Sequence, residues 1–433
     1  MRIILTFFIT LFLAPSAFTA ELTSALDQNM NGVMSKVIDW RHHFHQFPEL
    51  SNREYKTQKS IADALTEMGL EPNLDYGITG VTAFIRGQNS GPLIALRADI
   101  DGLPVTEQLN LPFSSKEKTT YQGNEIGVMH ACGHDAHIAI LLGVASFLSQ
   151  NTDKLNGDIM LIFQPAEEGA PAGEDGGAEL MLKQGLFELE KPDAIFGLHV
   201  SNFSHGTIML KPGPAMASAE AFRINIEGKQ THGSRPWEGA DPIVAAFNIG
   251  TTLQTIVSRR LNLLDSQAVV SVGIMKAGTR NNIIPQHAML EGTIRTFQDS
   301  YADQIRDEIK LISENVAAAH HATATVDFKI YGGYPVTFND LDLSKKYGPV
   351  LKKAADGNYY EALVPRTGAE DFSFFAQQVP GLFFFLGVNP PEAESMPTNH
   401  SPYFYIDDAA LDNGVKAFVS LVEEFSVDFN KTN

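Results

Sequence analysis

The segment MHACGHDAHIAILLG (129–143) holds the only cysteine of the chain, Cys132, among His130, His134 and His137 and close to Asp135. A thiolate and an imidazole are both good donors for zinc and similar divalent ions. Cys132 and His134 are two residues apart, so an extended backbone would turn both to one face, and Gly133 permits a close main-chain approach. Asp135 precedes an apolar helical run and is placed to cap it. A thiol beside a helix N-terminus has a lowered pKa and favours the thiolate. On these residues alone three readings stand: a metal ligand, a nucleophile served by a histidine base, and a buried residue that happens to have histidine neighbours.

Further donors lie elsewhere. Glu167 and Glu168 follow IMLIFQPA and precede the glycine-rich GAPAGEDGG. Adjacent glutamates are usually surface charge, but at the end of a buried strand they can divide roles, one holding a metal and the other staying free as a base. His199 closes the apolar run AIFGLHV, where a satisfied core histidine is the commoner case, and His400 sits in a proline-flanked loop, NHSPYF, where a surface histidine is. Asp99 and Asp101 end another apolar run, PLIALRADID.

The elements that must position these residues read as α/β. Residues 24–69 look helical and are broken at Pro48; strand-like runs follow at 81–87, 92–101 and 157–169, with the helix IAILLGVASFL between the last two. Apolar strands alternating with helices predict a central mixed sheet covered on both faces, with functional residues gathered where strands end. Residues 214–328 change character: alternating strands and two amphipathic helices run in the order βαββαβ, a split βαβ unit of ferredoxin-like type. Its open face or edge is available for pairing with a second copy. The expected organisation is a catalytic domain over 21–213 and 329–433, interrupted by a lid or dimerisation domain over 214–328.

A chain of 433 residues is too long for one core, and 44% hydrophobic with 19% charged residues is ordinary for a soluble protein. A net charge of −19 argues against nucleic acid, whose phosphates would be repelled. Residues 3–20, IILTFFITLFLAPSAFTA, are uncharged and end in small residues, which reads as a signal peptide over 1–20; the alternative is a membrane anchor. The expected location is therefore periplasmic or secreted, with no stable membrane span after cleavage. There a lone cysteine has no internal partner and must be buried, ligated or reactive.

WRHHFHQFPELS, CGHDAH, QPAEE, the HV of 199–200, GKQTHGSRP, NNIIP, GTIRTF, GAEDFSFF and HSPYFYID resemble, in one collinear order from residue 40 to the C-terminal helix, the M20 metallopeptidase family. The nearest subgroup is that of aminoacylase-like amidohydrolases acting on hippurate, auxin conjugates and N-acyl amino acids. The resemblance implies two divalent metal ions, zinc first with manganese, cobalt or nickel as alternatives, held by Cys132, His134, Glu168, His199 and His400. It implies Glu167 as general base and Asp101 as an orienting carboxylate. It implies His232 as a lid residue that polarises the scissile carbonyl in the partner subunit of a homodimer, and Asn282 and Arg295 as lid residues that grip the substrate carbonyl and carboxylate. The implied substrate is an N-acyl amino acid or a short peptide. Gly233-Ser234-Arg235-Pro236-Trp237 departs from the small apolar residues usual after the lid histidine, and the loop after the glutamate pair is extended. His130 and His137 match no ligand position. A cysteine-nucleophile hydrolase and a non-catalytic exported binding protein are the rival readings.

Overall fold

The computed structural model describes residues 21–393 and 397–432, so the expected leader lies outside the described residues. The chain begins with α1 (Glu21–Gln46) and α2 (Tyr55–Glu67), then β1 (Val81–Ile85), β2 (Asn89–Asp99), a hairpin of β3 (Lys118–Tyr121) and β4 (Asn124–Gly127), α3 (His134–Ser149), β5 (Asn156–Gln164), α4 (Gly177–Lys183), β6 (Ala194–Ser204), β7 (Ile208–Leu210) and β8 (Gly213–Met216). A second unit follows: β9 (Ala219–Glu227), β10 (Thr231–His232), α5 (Pro242–Arg260), β11 (Ala268–Ala277), β12 (Ile283–Ile284), β13 (His287–Thr296), α6 (Asp299–Ala319) and β14 (Thr323–Tyr334). The chain then returns through β15 (Thr337–Asn339), α7 (Leu341–Ala354), β16 (Tyr359–Glu361), α8 (Phe372–Ala376), β17 (Gly381–Asn389) and α9 (Leu411–Thr432).

The central sheet is mixed, in the order β1-β5-β2-β6-β17-β7-β16. β5, β2, β6 and β17 run parallel to their neighbours, while β1 and β7 pair antiparallel with β5 and β17. Period-two alternation divides the apolar side chains between two cores. Ile159, Leu161 and Phe163 of β5 face one core with Phe384 and Leu386 of β17, under α1, α3 and α9. Met160, Ile162, Phe383 and Phe385 face the other, with Phe372 and Phe375 of α8. Both faces are covered, which explains why the strands read as continuous apolar runs. α3 is buried on every side from His134 to Leu148, as its uniformly apolar sequence requires. At Gly143 an added Cβ would lie 2.4 Å from Val37 Cγ2, so glycine lets α1 approach α3.

The second unit forms a separate four-stranded antiparallel sheet, β11-β13-β9-β14, the strand order of a ferredoxin-like βαββαβ fold. Phe222, Ile224 and Ile226 of β9 and Leu290 and Ile294 of β13 pack on Ala246, Ile249 and Leu253 of α5 and on Ile305 and Ile309 of α6. Asp241 caps α5 through Ile243 N–H and Val244 N–H, with Pro242 in the first turn. Arg223, Glu291 and Arg295 alternate onto the face away from the helices. Among the described residues, no helix is long and apolar enough to cross a membrane.

Two local expectations change, and one hairpin is not among the expected elements. The β3–β4 hairpin, turned by Gln122 and Gly123 at φ 49° and 81°, gives only a short polar pattern in sequence. β6 continues to Ser204, so His199 lies inside a strand, paired with Phe385, rather than at its end. Asp135 is not the cap of α3: Gly133 occupies the N-cap, and the Asp135 carboxylate instead takes Arg41 Nε at 3.2 Å and His45 Nδ1 at 2.9 Å.

Candidate metal centre

Cys132 and His134 converge through a turn rather than an extended pair. Gly133 has φ 95°, and a Cβ there would stand 2.3 Å from Val200 Cγ2, so the turn seats against β6 only with glycine. This brings Cys132 Sγ to 3.3 Å from His199 Nε2. The His400 loop closes from the other side: His400 N–H donates to Ala131 O at 2.8 Å, and Asn399 Nδ2 donates to Cys132 O at 2.9 Å and Val200 O at 3.1 Å. His400 Nε2 then lies 3.3 Å from Cys132 Sγ and 3.1 Å from Glu168 Oε1.

The other ring nitrogens are assigned by their partners. His199 Nδ1 lies 2.6 Å from Val200 O and donates to it, which turns Nε2 toward the thiol. His134 Nδ1 lies 3.2 Å from Asp101 Oδ1, and its buried Nε2 has no hydrogen-bond partner among the described residues. That orphan nitrogen is 3.9 Å from Glu167 Oε2. His137 uses both nitrogens, Nδ1 on Asp99 Oδ1 at 2.5 Å and Nε2 accepting Val200 N–H at 2.9 Å. His130 is buried with neither nitrogen hydrogen-bonded among the described residues; burial lowers its pKa to about 4, so it packs as a neutral ring.

Asp101 fixes the glutamate pair. Its carboxylate accepts Glu167 N–H at 3.1 Å, Glu168 N–H at 3.0 Å and Ser51 Oγ at 2.7 Å as well as facing His134. Ala166, at φ 55°, is held by its N–H on Glu54 Oε1 at 3.0 Å, which stabilises a backbone conformation unfavourable for alanine. Tyr334 Oη donates to Glu167 O at 2.5 Å, tying the turn to the second unit.

Beneath the turn lies a buried charge network. Arg97 binds Asp99 at 2.7 Å, Glu370 at 2.8 Å, Asp371 at 2.9 Å and Gln164 at 2.9 Å. One guanidinium faces more buried carboxyls than it can neutralise. Burial, against the pull of Arg97, pushes Glu370 up to about 8 and Asp371 up to about 6. Burial, then Glu370 and Glu168, lifts Glu167 well above the ordinary range. Burial opposes charge on His134, but Asp99 and Asp101 outweigh it and raise its pKa to about 10. Cys132 shifts opposite to the sequence expectation: burial first, then Glu168 and Glu167, raises the thiol well above its usual value, overriding the helix terminus.

These features fit divalent cations. Cys132, His134 and His199 offer donor atoms within 4.8 Å of one another; so do Cys132, Glu168 and His400, and so do His134, Glu167 and Glu168. The first two groups share the thiol. An orphaned imidazole nitrogen, a thiol that needs a cation to ionise and a surplus of carboxyls are what such ions would satisfy.

Among the described residues, the lid residues share no hydrogen bond or ion pair with this cluster. His232, exposed on β10, pairs with Ile283 of β12, and Gly233 N–H donates to Asn282 O at 2.8 Å, so His232 and Asn282 are neighbours. Ser234 N–H donates to His232 Nδ1 at 3.1 Å and Ser234 Oγ lies 2.8 Å from it, which leaves the ring proton on Nε2. Arg295 is half-buried on β13, and burial lowers its pKa. A cavity of about 1210 Å³ opens beside Glu168, lined by Ser51, Lys56, Tyr121, Tyr331 and the extended 169–177 loop.

Sequence reasoning missed Glu54, Arg97 and Asn399 entirely. Glu370 and Asp371 stood in a quoted motif, GAEDFSFF, with no role attached. A lone acid after Asn-Arg, or an arginine within an apolar strand, carries no spacing signal.

A centre of this kind activates water rather than a side chain, and with its separate lid sheet it marks a metal-dependent amide hydrolase. The chain belongs to peptidase family M20/M25/M40, whose sequence profile matches residues 95–424. It is 36% identical over 408 residues to thermostable carboxypeptidase 1 of Saccharolobus solfataricus, covering 94% of this chain and 99% of that one. It is 38% identical to the N-acetyl-L-cysteine deacetylase of Bacillus subtilis over 91% of this chain and 88% of that one. Among solved structures, a dinuclear metal-binding M20 peptidase from Bacillus subtilis superposes with TM-score 0.74 at 36% identity, covering 92% and 99% of the two chains.

Two outcomes follow. Gly133→Ala forces an unfavourable φ and a clash with Val200, so it should destabilise the protein by about 1–3 kcal/mol and lower bound metal per chain, read by denaturant unfolding and elemental analysis. In metal-free protein the folded-state pKa values of Glu370 and Asp371 lie above their unfolded values near 4. Their stabilisation is therefore full below about pH 4 and lost as pH rises toward about 8. The melting temperature of chelator-treated protein should fall between about pH 5 and about pH 8 from this source, and zinc or manganese should restore it; no change on metal addition would contradict the site.

Proposed function

We propose that the protein hydrolyses the amide bond of N-acyl amino acids, using two divalent cations held by Cys132, His134, Glu168, His199 and His400. The observation that carries this reading is Glu167: its carboxylate receives no hydrogen bond from the described residues, yet it lies at the edge of the donor cluster, 3.9 Å from the orphan His134 nitrogen. Zinc suits thiolate and imidazole donors best, with manganese, cobalt or nickel as alternatives. When bound, such ions supply Lewis-acid activation of water and of the scissile carbonyl.

The chain's own residues do the rest. Glu167 accepts a proton from the attacking water and later delivers it to the departing amine nitrogen. Asp101 holds the main chain of Glu167 and Glu168 and the ring of His134, so base and ligands keep one geometry. His232, with its proton on Nε2, is a donor for the carbonyl oxygen as negative charge develops there. It is exposed and, among the described residues, makes no hydrogen bond or ion pair with its own chain's donor cluster, which supports delivery by the partner subunit's His232. β11 is an unpaired sheet edge bearing exposed Val269, Ile274 and Met275, next to Val244 and Phe247 of α5. That face fits an isologous dimer. Asn282 and Arg295 would grip substrate from the same lid.

The likeness to a carboxypeptidase supports a second reading, cleavage of short peptides, and one panel separates the two. Metal-loaded protein assayed on N-acyl amino acids and on dipeptides should cleave the first set faster; the reverse order selects the peptidase reading. Glu167→Gln should retain metal and lose on the order of 10²–10⁴-fold in kcat, whereas metal loss with the activity would mark Glu167 as a ligand. Co-expressed Glu167→Gln and His232→Ala chains, each inactive alone, should regain roughly a quarter of wild-type activity, because random pairing makes half the dimers mixed and each mixed dimer has one intact site. No recovery would place His232 in its own chain's site.

A further inference from the structure

We infer that Arg366 forms a carboxylate-binding subsite beside the metal centre, taking a carboxylate of the substrate; this deepens the amide-hydrolase reading and rests on it. The segment VPRTG immediately precedes the GAEDF turn. Its main chain is fixed at Arg366 by the N–H on Ala215 O at 2.9 Å and by Ala217 N–H on Arg366 O at 3.0 Å. The side chain lies over two rings: the guanidinium carbon is 4.8 Å from the Phe385 ring centroid and 5.1 Å from that of Phe203. Contact of the cation with ring faces restrains the side chain and leaves its N–H donors as the part able to bind.

Those donors are nearly unused. A guanidinium carries five N–H donors, yet among the described residues this one makes a single hydrogen bond, from Nη2 to Ser201 Oγ at 3.3 Å. Among the described residues, the arginines that are buried or half-buried pair with carboxylates, as Arg41, Arg97, Arg223 and Arg306 do. Arg295 and Arg366 are the exceptions. Burial lowers the pKa of Arg366, and its counter-influences are Tyr360 and Cys132 rather than any acid. In a chain of net charge −19, a half-buried arginine with no acid beside it among the described residues is a cation left open for an anion that arrives from outside.

Its position gives the anion its identity. Phe385, under the guanidinium, packs 6.2 Å from the His199 ring. Ser201 Oγ lies 3.4 Å from Asn399 Oδ1, and Asn399 holds the main chain of Cys132 and Val200. The guanidinium is thus one residue removed from His199, through Phe385, and two from Cys132, through Ser201 and Asn399. A substrate whose amide reaches that cluster carries its neighbouring groups toward Arg366. The surrounding carboxyls disfavour an anionic substrate, and a planar, bidentate donor offsets this with directional specificity.

The test compares wild type, Arg366→Met and Arg366→Lys on three substrates sharing one scissile amide: an N-acetyl amino acid, its neutral carboxamide, and that carboxamide carrying an N-succinyl group. Arg366→Met should reduce kcat/KM on a carboxylate-bearing substrate, relative to the carboxamide, by roughly 10- to 100-fold, chiefly through KM. Arg366→Lys should recover part of the loss, since it restores the charge without the fork. Selective loss on the N-acetyl amino acid assigns the subsite to the α-carboxylate; selective loss on the succinyl substrate assigns it to the acyl side. Equal change on all three substrates, in either variant, overturns the inference and leaves the hydrolase reading intact. If wild type cleaves none of them, the hydrolase reading falls, and the subsite is decided by calorimetry on zinc-loaded protein. Weaker binding of the N-acetyl amino acid to Arg366→Met by at least about tenfold upholds it, and equal affinity overturns it. Bound zinc and melting temperature, measured on each variant, confirm that the chains compared are folded and loaded.

Discussion

The candidate site depends on the carboxylate of Asp101 more than on any other single group. It receives two consecutive main-chain N–H groups, one hydroxyl and one imidazole, and so joins the loop after α1, the end of β2, the start of α3 and the turn after β5. Burial opposes its charge, but these donors outweigh burial and hold its pKa below the ordinary range. A protonated or amide side chain at this point could not accept all four. The direction of the His134 orphan nitrogen and the placement of both glutamates follow from that one anion.

The second constraint is charge surplus. Arg97 is fully buried among Asp99, Glu370 and Asp371, and His134 adds a second cationic centre, yet the carboxyls still outnumber them. Raised pKa values at Glu167, Glu370 and Asp371 register that imbalance. A folded protein tolerates it where cations complete the site, since folding and metal binding then stabilise each other. Burial, reinforced by the same field, raises the Cys132 thiol, which disfavours a nucleophilic cysteine in the absence of a cation and suits a ligand in its presence.

Division of labour between the two sheets gives the protein its scale. The mixed sheet is covered on both faces and presents rigid strand ends. The antiparallel sheet has helices on one face and ends in β11 and β14, with His232 in the small β10–β12 pairing and Asn282 beside it. Candidate donors on one unit and polar side chains on another suit a reaction in which water must be excluded only while substrate is held.

The α/β class, the inserted βαββαβ unit and the donors Cys132, His134, Glu168, His199 and His400 were legible because periodicity and residue type are local properties, and collinear motifs attach roles to them. Other features were not legible. The turn at Gly133, the strand that continues past His199, and the partners of Asp135 depend on contacts across 60 to several hundred residues, which spacing does not encode. Glu54, Arg97, Asn399 and Arg366 each look ordinary in their own sequence neighbourhood. The sequence by itself determined which donor types exist and on which elements they ride. Only the tertiary structure decided which nitrogen of each histidine is free, which carboxyls share one buried field, and which arginine is left without an acid, because burial and pairing energies arise only once distant strand ends meet.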